Sequence, residues 1–465
     1  MEMERTLAAF VRNAAIDRIP ADVRKIVKQV LLATFGTAIA GAGEEGCAAL
    51  LRLLRQRGGS AEATVFVHGG RLPAPSAALI NGVMCRALDF CDAMAPGLHI
   101  GSSLVPAALA AAELRGGCNG ADFLAALAVG AEIGARMNLS EGQYDGFDPT
   151  GVAGVFAATA AAARLLELDE GQILHALALA FNRAGGSFQS NVDGSLAVRL
   201  IQGWVAETAV TCALLARAGL TGPRNFLDGV YGYNHLFARG QRNIASFGEG
   251  LGEDFRLTGI MFKKYPSCGL TQGVTELALA ATESLALKAD DIASITVRLP
   301  PYAYRLVGHP FAIGENPRVN AQFSAQYCVA SAILRRGAKL QHFRTEAIGS
   351  PDVQRLIGKI AVLADPGMDR RGHTAVDLAI RTMAGRDFAS GLDIAPGFPG
   401  NGLSDAEHLA RFRDCMDYAE QPISPGQASR LQTTIMALET SDDVRALLPL
   451  TRAEGREAAR AGHAG

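Results

Sequence analysis

The sequence predicts a mostly α protein, a large all-helical bundle domain with a smaller, lid-like α+β domain inserted in it. Three observations predict this. Apolar residues in the first half and at the end recur at helical spacing with short links between them. From about residue 256 to residue 399 the pattern gives way to alternation that fits strands. Of the 465 residues, 49% are hydrophobic and only 19% charged, against ~25% charged in ordinary globular domains. Much of that apolar content is alanine, which suits closely packed helices. The expected domains are residues 1–255 plus 400–465, all-helical, and 256–399, α+β.

Taken in order, the first strong helix starts at Asp22-Val23, runs through Ile26, Val27, Val30, Leu31 and Phe35, and stops near Gly41-Ala42-Gly43. A second runs from Ser76, a plausible N-cap, to Phe90. Ser102 or Ser103 can cap the next, with Pro106 tolerated in its first turn. Thr150 to Leu166 reads as a small-residue helix, and Asp169 with Gln172 as a capping box for a helix ending near Phe181. Ala197 to Ala218 is a long helix closed by Gly219. Beyond residue 256, Ile295, Val297 and Leu299 alternate with Thr296 and Arg298, and Ile360–Leu363 is a second candidate strand. Val376–Thr382 leads into the turn Ala384-Gly385-Arg386-Asp387, a hairpin. A helix from Ala321 to Arg335 lies among these strands. Helical character returns at Leu403-Ser404-Asp405, and Glu454–Gly465 is a polar end expected to fray.

Charge and cysteine usage narrow the partners. A formal net charge of −2 leaves no basic excess to track nucleic acid and no polybasic stretch to hold a membrane. The eight cysteines are scattered with no CxxC pair, so they read as reduced thiols packed in apolar helices. Met1-Glu2-Met3-Glu4-Arg5 is no secretory signal. The uncharged run from Gly151 to Ala163 is too short to span a bilayer, and Pro96, Gly97, His99 and Pro106 interrupt the longer one. The expected setting is cytoplasmic.

The most informative stretch is Leu88-Asp89-Phe90-Cys91-Asp92 followed, across Pro96-Gly97, by His99-Ile100-Gly101-Ser102-Ser103. Carboxylates and an imidazole around a tight turn, between apolar segments, suit proton transfer in a water-excluded site. The same residues also suit helix capping. As oxygen and nitrogen donors they suit a divalent metal too, although no His or Cys pair at ligand spacing supports one, and no metal is expected.

These pieces resemble the MmgE/PrpD family. Asn81-Gly82 followed by Ala87-Leu88-Asp89-Phe90 is similar to its NG…ALDFDD stretch, and His99-Ile100-Gly101-Ser102-Ser103 with Val105-Pro106-Ala107 to its HPSS-V-PA stretch. Gly146-Phe147-Asp148-Pro149-Thr150 sits where the family writes G-W/F-HPT, and Lys263-Lys264-Tyr265-Pro266-Ser267-Cys268 is similar to K-x-YPSC. Asn320–Ser324 and Leu403-Ser404-Asp405 match further landmarks, so the resemblance covers nearly the whole chain. The departures are equally specific. Val198 stands for a lysine before Arg199, Asp148 and Gln272 for histidines, Arg86 for the histidine before ALDF, Cys91 for the second acid, and Ala93 for a threonine.

The resemblance implies a homodimeric, cofactor-independent lyase. Its reaction would be a hydro-lyase step like that of 2-methylcitrate dehydratase, abstracting a proton next to a carboxylate of a small di- or tricarboxylic acid. Epimerisation, decarboxylation, or carboxylate binding without turnover are the alternatives. His99, oriented by Asp89, is then the leading acid/base, with Lys263 as its catalytic partner. Arg199 and the helix start at Ser102 and Ser103 would bind carboxylates, with Asp148, Tyr265, Ser267 and Gln272 as further substrate-binding candidates.

Overall fold

The computed structural model describes residues 2–452, with Val192 described through its backbone alone. The end segment Glu454–Gly465 lies outside the described residues. The chain folds into two compact units, one formed by the residues up to Ile260 and from Cys415 onward, the other by Met261–Asp414. Most of it is α-helix with few strands, the fold class expected.

The first unit is helical. Its elements are α1 (Glu2–Asn13), α2 (Ala21–Gly41), α3 (Cys47–Arg57), α4 (Ala74–Arg86), α5 (Gly101–Arg115), α6 (Gly120–Met137), α7 (Glu141–Tyr144), α8 (Val155–Leu165), α9 (Glu170–Phe181), α10 (Gln189–Val192) and α11 (Ala197–Arg217). The late helix Pro425–Met436 rejoins this unit. Among the described residues, α11 is the one helix long and apolar enough to cross a membrane, and 56% of its apolar window is buried inside the protein.

Small residues let these helices touch. A Cβ at Gly203 of α11 would lie 2.5 Å from the Leu79 carbonyl oxygen of α4, and one at Gly82 of α4 would lie 3.0 Å from the Gln202 carbonyl oxygen. Backbone meets backbone there, so adding even a methyl overpacks the contact, at about 1–3 kcal/mol. Within α6, Arg136 Nε and Glu132 Oε1 form a fully buried ion pair at 2.6 Å, and both residues bind the irregular chain that follows α11. Arg136 also donates to the carbonyls of Phe247, Glu249 and Asp254, and Glu132 Oε2 accepts from the Leu257 amide. Each charge is met by several partners, which a buried pair requires.

Helix ends follow the sequence where the cap is local. At α9, Asp169 accepts from the Gln172 amide at 2.8 Å while the Gln172 side chain accepts from the Asp169 amide at 3.1 Å. Two expectations fail. The helix we began at Ser76 starts at Ala74, because Pro75 fits its first turn and needs no N–H there. It ends at Arg86 rather than Phe90, since Asp89 turns to φ +52° and leaves the helical region. Thr150 opens a π-helical turn, Thr150–Gly154, and only then does α8 begin.

In the second unit four strands form one sheet in the order Ile360–Ala364, Ile292–Leu299, Val376–Thr382, Asp387–Leu392. The first pair is parallel, the other two antiparallel, and the last is the expected hairpin. Ile292, Ile295, Val297 and Leu299 point into a core shared with Val274, Leu277 and Ala281 from the helix Gln272–Ser284, and with Val329 and Ile333 from Ala325–Arg335. The single helix expected from Ala321 to Arg335 is broken at Phe323-Ser324, where Ser324 caps a new start by accepting from the Tyr327 amide at 3.1 Å. The helix Asp405–Tyr418 opens in this unit, and the division falls within it rather than at residue 400.

Candidate functional site

The loop between α4 and α5 is built around His99. Met94 and Leu98 exchange both backbone hydrogen bonds, at 2.7 and 2.9 Å, closing the turn that contains Pro96-Gly97. The His99 amide donates to Thr150 Oγ1 at 3.0 Å. Its ring Nδ1 lies 2.7 Å from the Asp92 carbonyl oxygen and 3.3 Å from Cys91 Sγ. A carbonyl can only accept, so Nδ1 carries the proton and Nε2 is the basic nitrogen of the neutral ring.

Asp92 does a second task with its side chain. Its carboxylate accepts from the Ile100 amide at 3.1 Å and from the Gly101 amide at 3.0 and 3.1 Å. The anion at the α5 N-terminus, where free N–H groups and the dipole favour negative charge, is therefore the protein's own. We had expected substrate at this place. Ser102 and Ser103 lie in the first turn, both fully buried, and Ser103 Oγ donates to the Ile100 carbonyl at 3.3 Å. A Cβ at Gly101 would sit 2.3 Å from Asp92 Oδ1 and 2.8 Å from Thr34 Oγ1, so the cap needs glycine here.

Asp89 is held at evident cost. It is buried, it takes a left-handed backbone conformation, and it follows the C-terminus of α4, where a negative charge opposes the dipole. Arg86, itself buried, pairs with its carboxylate through Nη1; burial lowers the guanidinium's pKa, but Asp89, Cys91 and Asp148 together raise it above the ordinary value. The buried Asp148 acts electrostatically on Arg86 and on His99. Its Oδ1 accepts from the Thr150 amide at 2.8 Å and the Gly151 amide at 3.1 Å, capping the π turn. Burial pushes its carboxyl above the ordinary value, against those amides and the charges of His99 and Arg86. Arg199, on α11, is buried and donates from Nη1 to the Glu45 carbonyl at 2.8 Å, tying α11 to the chain before α3.

The remaining candidates belong to the second unit. Lys263 is 3% exposed. Beside it, Gln272 clamps the Tyr265–Cys268 turn, accepting from the Tyr265 amide at 2.9 Å and donating to the carbonyls of Tyr265 at 3.0 Å and Ser267 at 3.2 Å. Ser267 Oγ accepts from Thr271 Oγ1 at 2.8 Å. Tyr265 donates its hydroxyl to Glu276 at 2.5 Å, and burial together with that carboxylate raises its pKa. Lys264 bridges Glu276 at 2.9 Å and Glu407 at 3.0 Å. Those acids hold its ammonium above the ordinary value against the pull of burial.

Sequence reasoning missed Cys91 as a contact of the imidazole and Thr150 as a contact of the His99 amide, and gave Asp92 little weight. No local signal marks them. Asp92 caps a helix that starts nine residues later, and Thr150 reaches His99 from another element. Among the described residues, no group of three or more His, Cys, Asp or Glu side chains is placed to hold a metal ion.

Fold and site together define a class, a mostly helical protein with a small α+β unit and a buried loop that presents a tautomer-fixed histidine. The family's N-terminal domain profile matches residues 5–244 and its C-terminal profile residues 265–437, and the chain belongs to the MmgE/PrpD family. A cis-aconitate decarboxylase-like protein of Aspergillus oryzae is 27% identical to it, over 96% of this chain and 97% of that one. Human cis-aconitate decarboxylase is 25% identical, over 96% and 94%. The 2-methylcitrate dehydratase of Cupriavidus necator is 26% identical, over 77% and 76%.

Proposed function

We propose that this chain is a cofactor-independent lyase acting on a small di- or tricarboxylic acid, with His99 moving the proton at the carbon next to a carboxylate. The observation that carries the reading is the ring's setting: Nδ1 meets the Asp92 carbonyl at 2.7 Å, which fixes the ring and makes Nε2 its basic nitrogen. In water loss, Nε2 takes the proton next to the carboxylate. The electron pair left behind forms the alkene, and the hydroxyl on the adjacent carbon departs as water after taking up a proton. The enolate-like charge needs fixed cations, a role we assign to Lys263 and Arg199. Asp89, kept buried and left-handed with Arg86 at its carboxylate, is the second acidic group we assign to catalysis. The homodimer implied by the resemblance is proposed with it, and light scattering reads it directly.

A second reading has its own support, because the two decarboxylase-named relatives align over 96% of this chain. In that reaction CO₂ leaves with its bonding electrons staying on carbon, and a protonated His99 delivers the proton that quenches them. Incubation in D₂O with a hydroxy-tricarboxylate and an unsaturated tricarboxylate, followed by NMR, separates the cases. New alkene with water loss marks the hydro-lyase, and CO₂ release with deuterium on carbon marks the decarboxylase. Exchange alone marks an epimerase. Binding without exchange on either compound would overturn the enzyme reading.

A further inference from the structure

The contact between Cys91 and His99 has a consequence for how the ring works. Cys91 is fully buried, and its sulfur lies 3.3 Å from Nδ1, the nitrogen that also meets the Asp92 carbonyl at 2.7 Å. Nδ1 has one proton to give, so the two acceptors share it, and sulfur is the weaker of the two. We propose that Cys91 is a positioning residue for His99. Its sulfur and the Asp92 carbonyl jointly fix the Nδ1–H tautomer, and its thiol places a neutral group rather than a charged one behind the ring, so that Nε2 takes and returns a proton near neutral pH.

The surroundings are consistent with this. The neighbouring Cys85 thiol is fully buried and pushed well above its ordinary value by burial, with Cys91 and Asp92 adding to the effect. Charged groups around this loop come from three elements, and among them Asp148 acts on the ring electrostatically. Asp92 lies in the loop, with its carboxylate committed to the α5 amides. Asp148 caps the π turn, and Arg86 paired with Asp89 ends α4. A carboxylate in place of the thiol would set a negative charge beside Nδ1 and would favour the imidazolium.

The inference rests on His99 acting as the acid/base, yet its test does not need turnover. The tautomer and midpoint of His99 are read by ¹H–¹⁵N NMR in the full-length protein and in Cys91→Ala, Cys91→Asn and Cys91→Asp. The native ring should show Nδ1–H alone. Cys91→Ala should reveal a measurable Nε2–H population. Cys91→Asp should raise the midpoint by about one unit or more over Cys91→Asn, which has the same shape without the charge. Where the protein turns over, the acid limb of its pH–rate profile should move by the same amount. An unchanged tautomer in Cys91→Ala would overturn the proposal even if Cys91→Asp failed to fold. Equal midpoints in Cys91→Asp and Cys91→Asn would overturn it as well. A chain inactive on every carboxylate but showing these shifts would sink the lyase reading alone.

Discussion

Around His99 the polar groups converge on one residue, whereas beside Lys263 they converge on one another. The imidazole meets the Asp92 carbonyl and the Cys91 sulfur, and the His99 main-chain amide donates to Thr150. In the second unit the Tyr265–Cys268 turn is closed by Gln272, and Tyr265 and Lys264 are tied off on Glu276 and Glu407. Both regions fell under the same resemblance, but their bonding differs: one surrounds the residue we propose as acid/base, the other closes a turn.

That contrast can be broken at several points. The largest effect should come from His99→Gln, with kcat falling about 10³-fold, within the range of general acid–base catalysis, while circular dichroism and the melting midpoint stay native. Gln272→Ala should do the reverse. It strands the buried Tyr265 amide and two carbonyls, so denaturant unfolding should show a loss of about 2–4 kcal/mol, with the folded fraction still active. Should Gln272→Ala instead fold normally and lose activity, the division drawn here is misplaced.

Lys263 sharpens the comparison from within the second unit. If it holds a substrate carboxylate, Lys263→Met should lower kcat/KM about 10–100-fold, the scale of a charged hydrogen bond. Lys264→Met, whose ammonium is already bound to Glu276 and Glu407, should change kcat/KM less than about tenfold on the same scale. Equal losses in steady-state kinetics would remove the distinction between the two lysines.

The smallest effect concerns Asp148. Its folded pKa is raised above the ordinary 3.8, so the folded chain binds this proton more tightly than the unfolded one. The stability linked to it is present below the ordinary value and is lost as pH rises toward the raised one. Asn keeps the Oδ1 acceptor of the cap and removes the charge. Asp148→Asn should therefore match or exceed the native melting midpoint at pH ~7, and the two should converge at pH ~3. Destabilisation at neutral pH would mean that the Asp148 charge serves His99 or Arg86 directly.

What the sequence disclosed and what it hid divide along similar lines. The capping box at Asp169/Gln172 and the hairpin at Val376–Leu392 were legible because each is encoded within a few residues. The start of α4 was misread by two residues, because Ser76 looked like a cap while Pro75 already sat in the first turn. The π turn at Thr150 was invisible, since it depends on Asp148 capping it and on Gly151 lying against the Gly185 carbonyl. In the candidate site, His99 and Asp89 stand out in the sequence by residue type and by the resemblance. Asp92 was underweighted because its worth comes from loop closure, which brings one residue's carbonyl to the ring and its carboxylate to the α5 amides.

The central claim, that His99 Nε2 moves the proton at carbon, is tested most directly by solvent exchange. Carboxylates bound by the native protein are incubated in D₂O with the native chain and with His99→Asn, and deuterium at the carbon next to the carboxylate is followed by NMR. Incorporation by the native chain that falls about 10³-fold or more in His99→Asn, with binding retained, is the predicted result. Exchange continuing at the native rate in His99→Asn would contradict it.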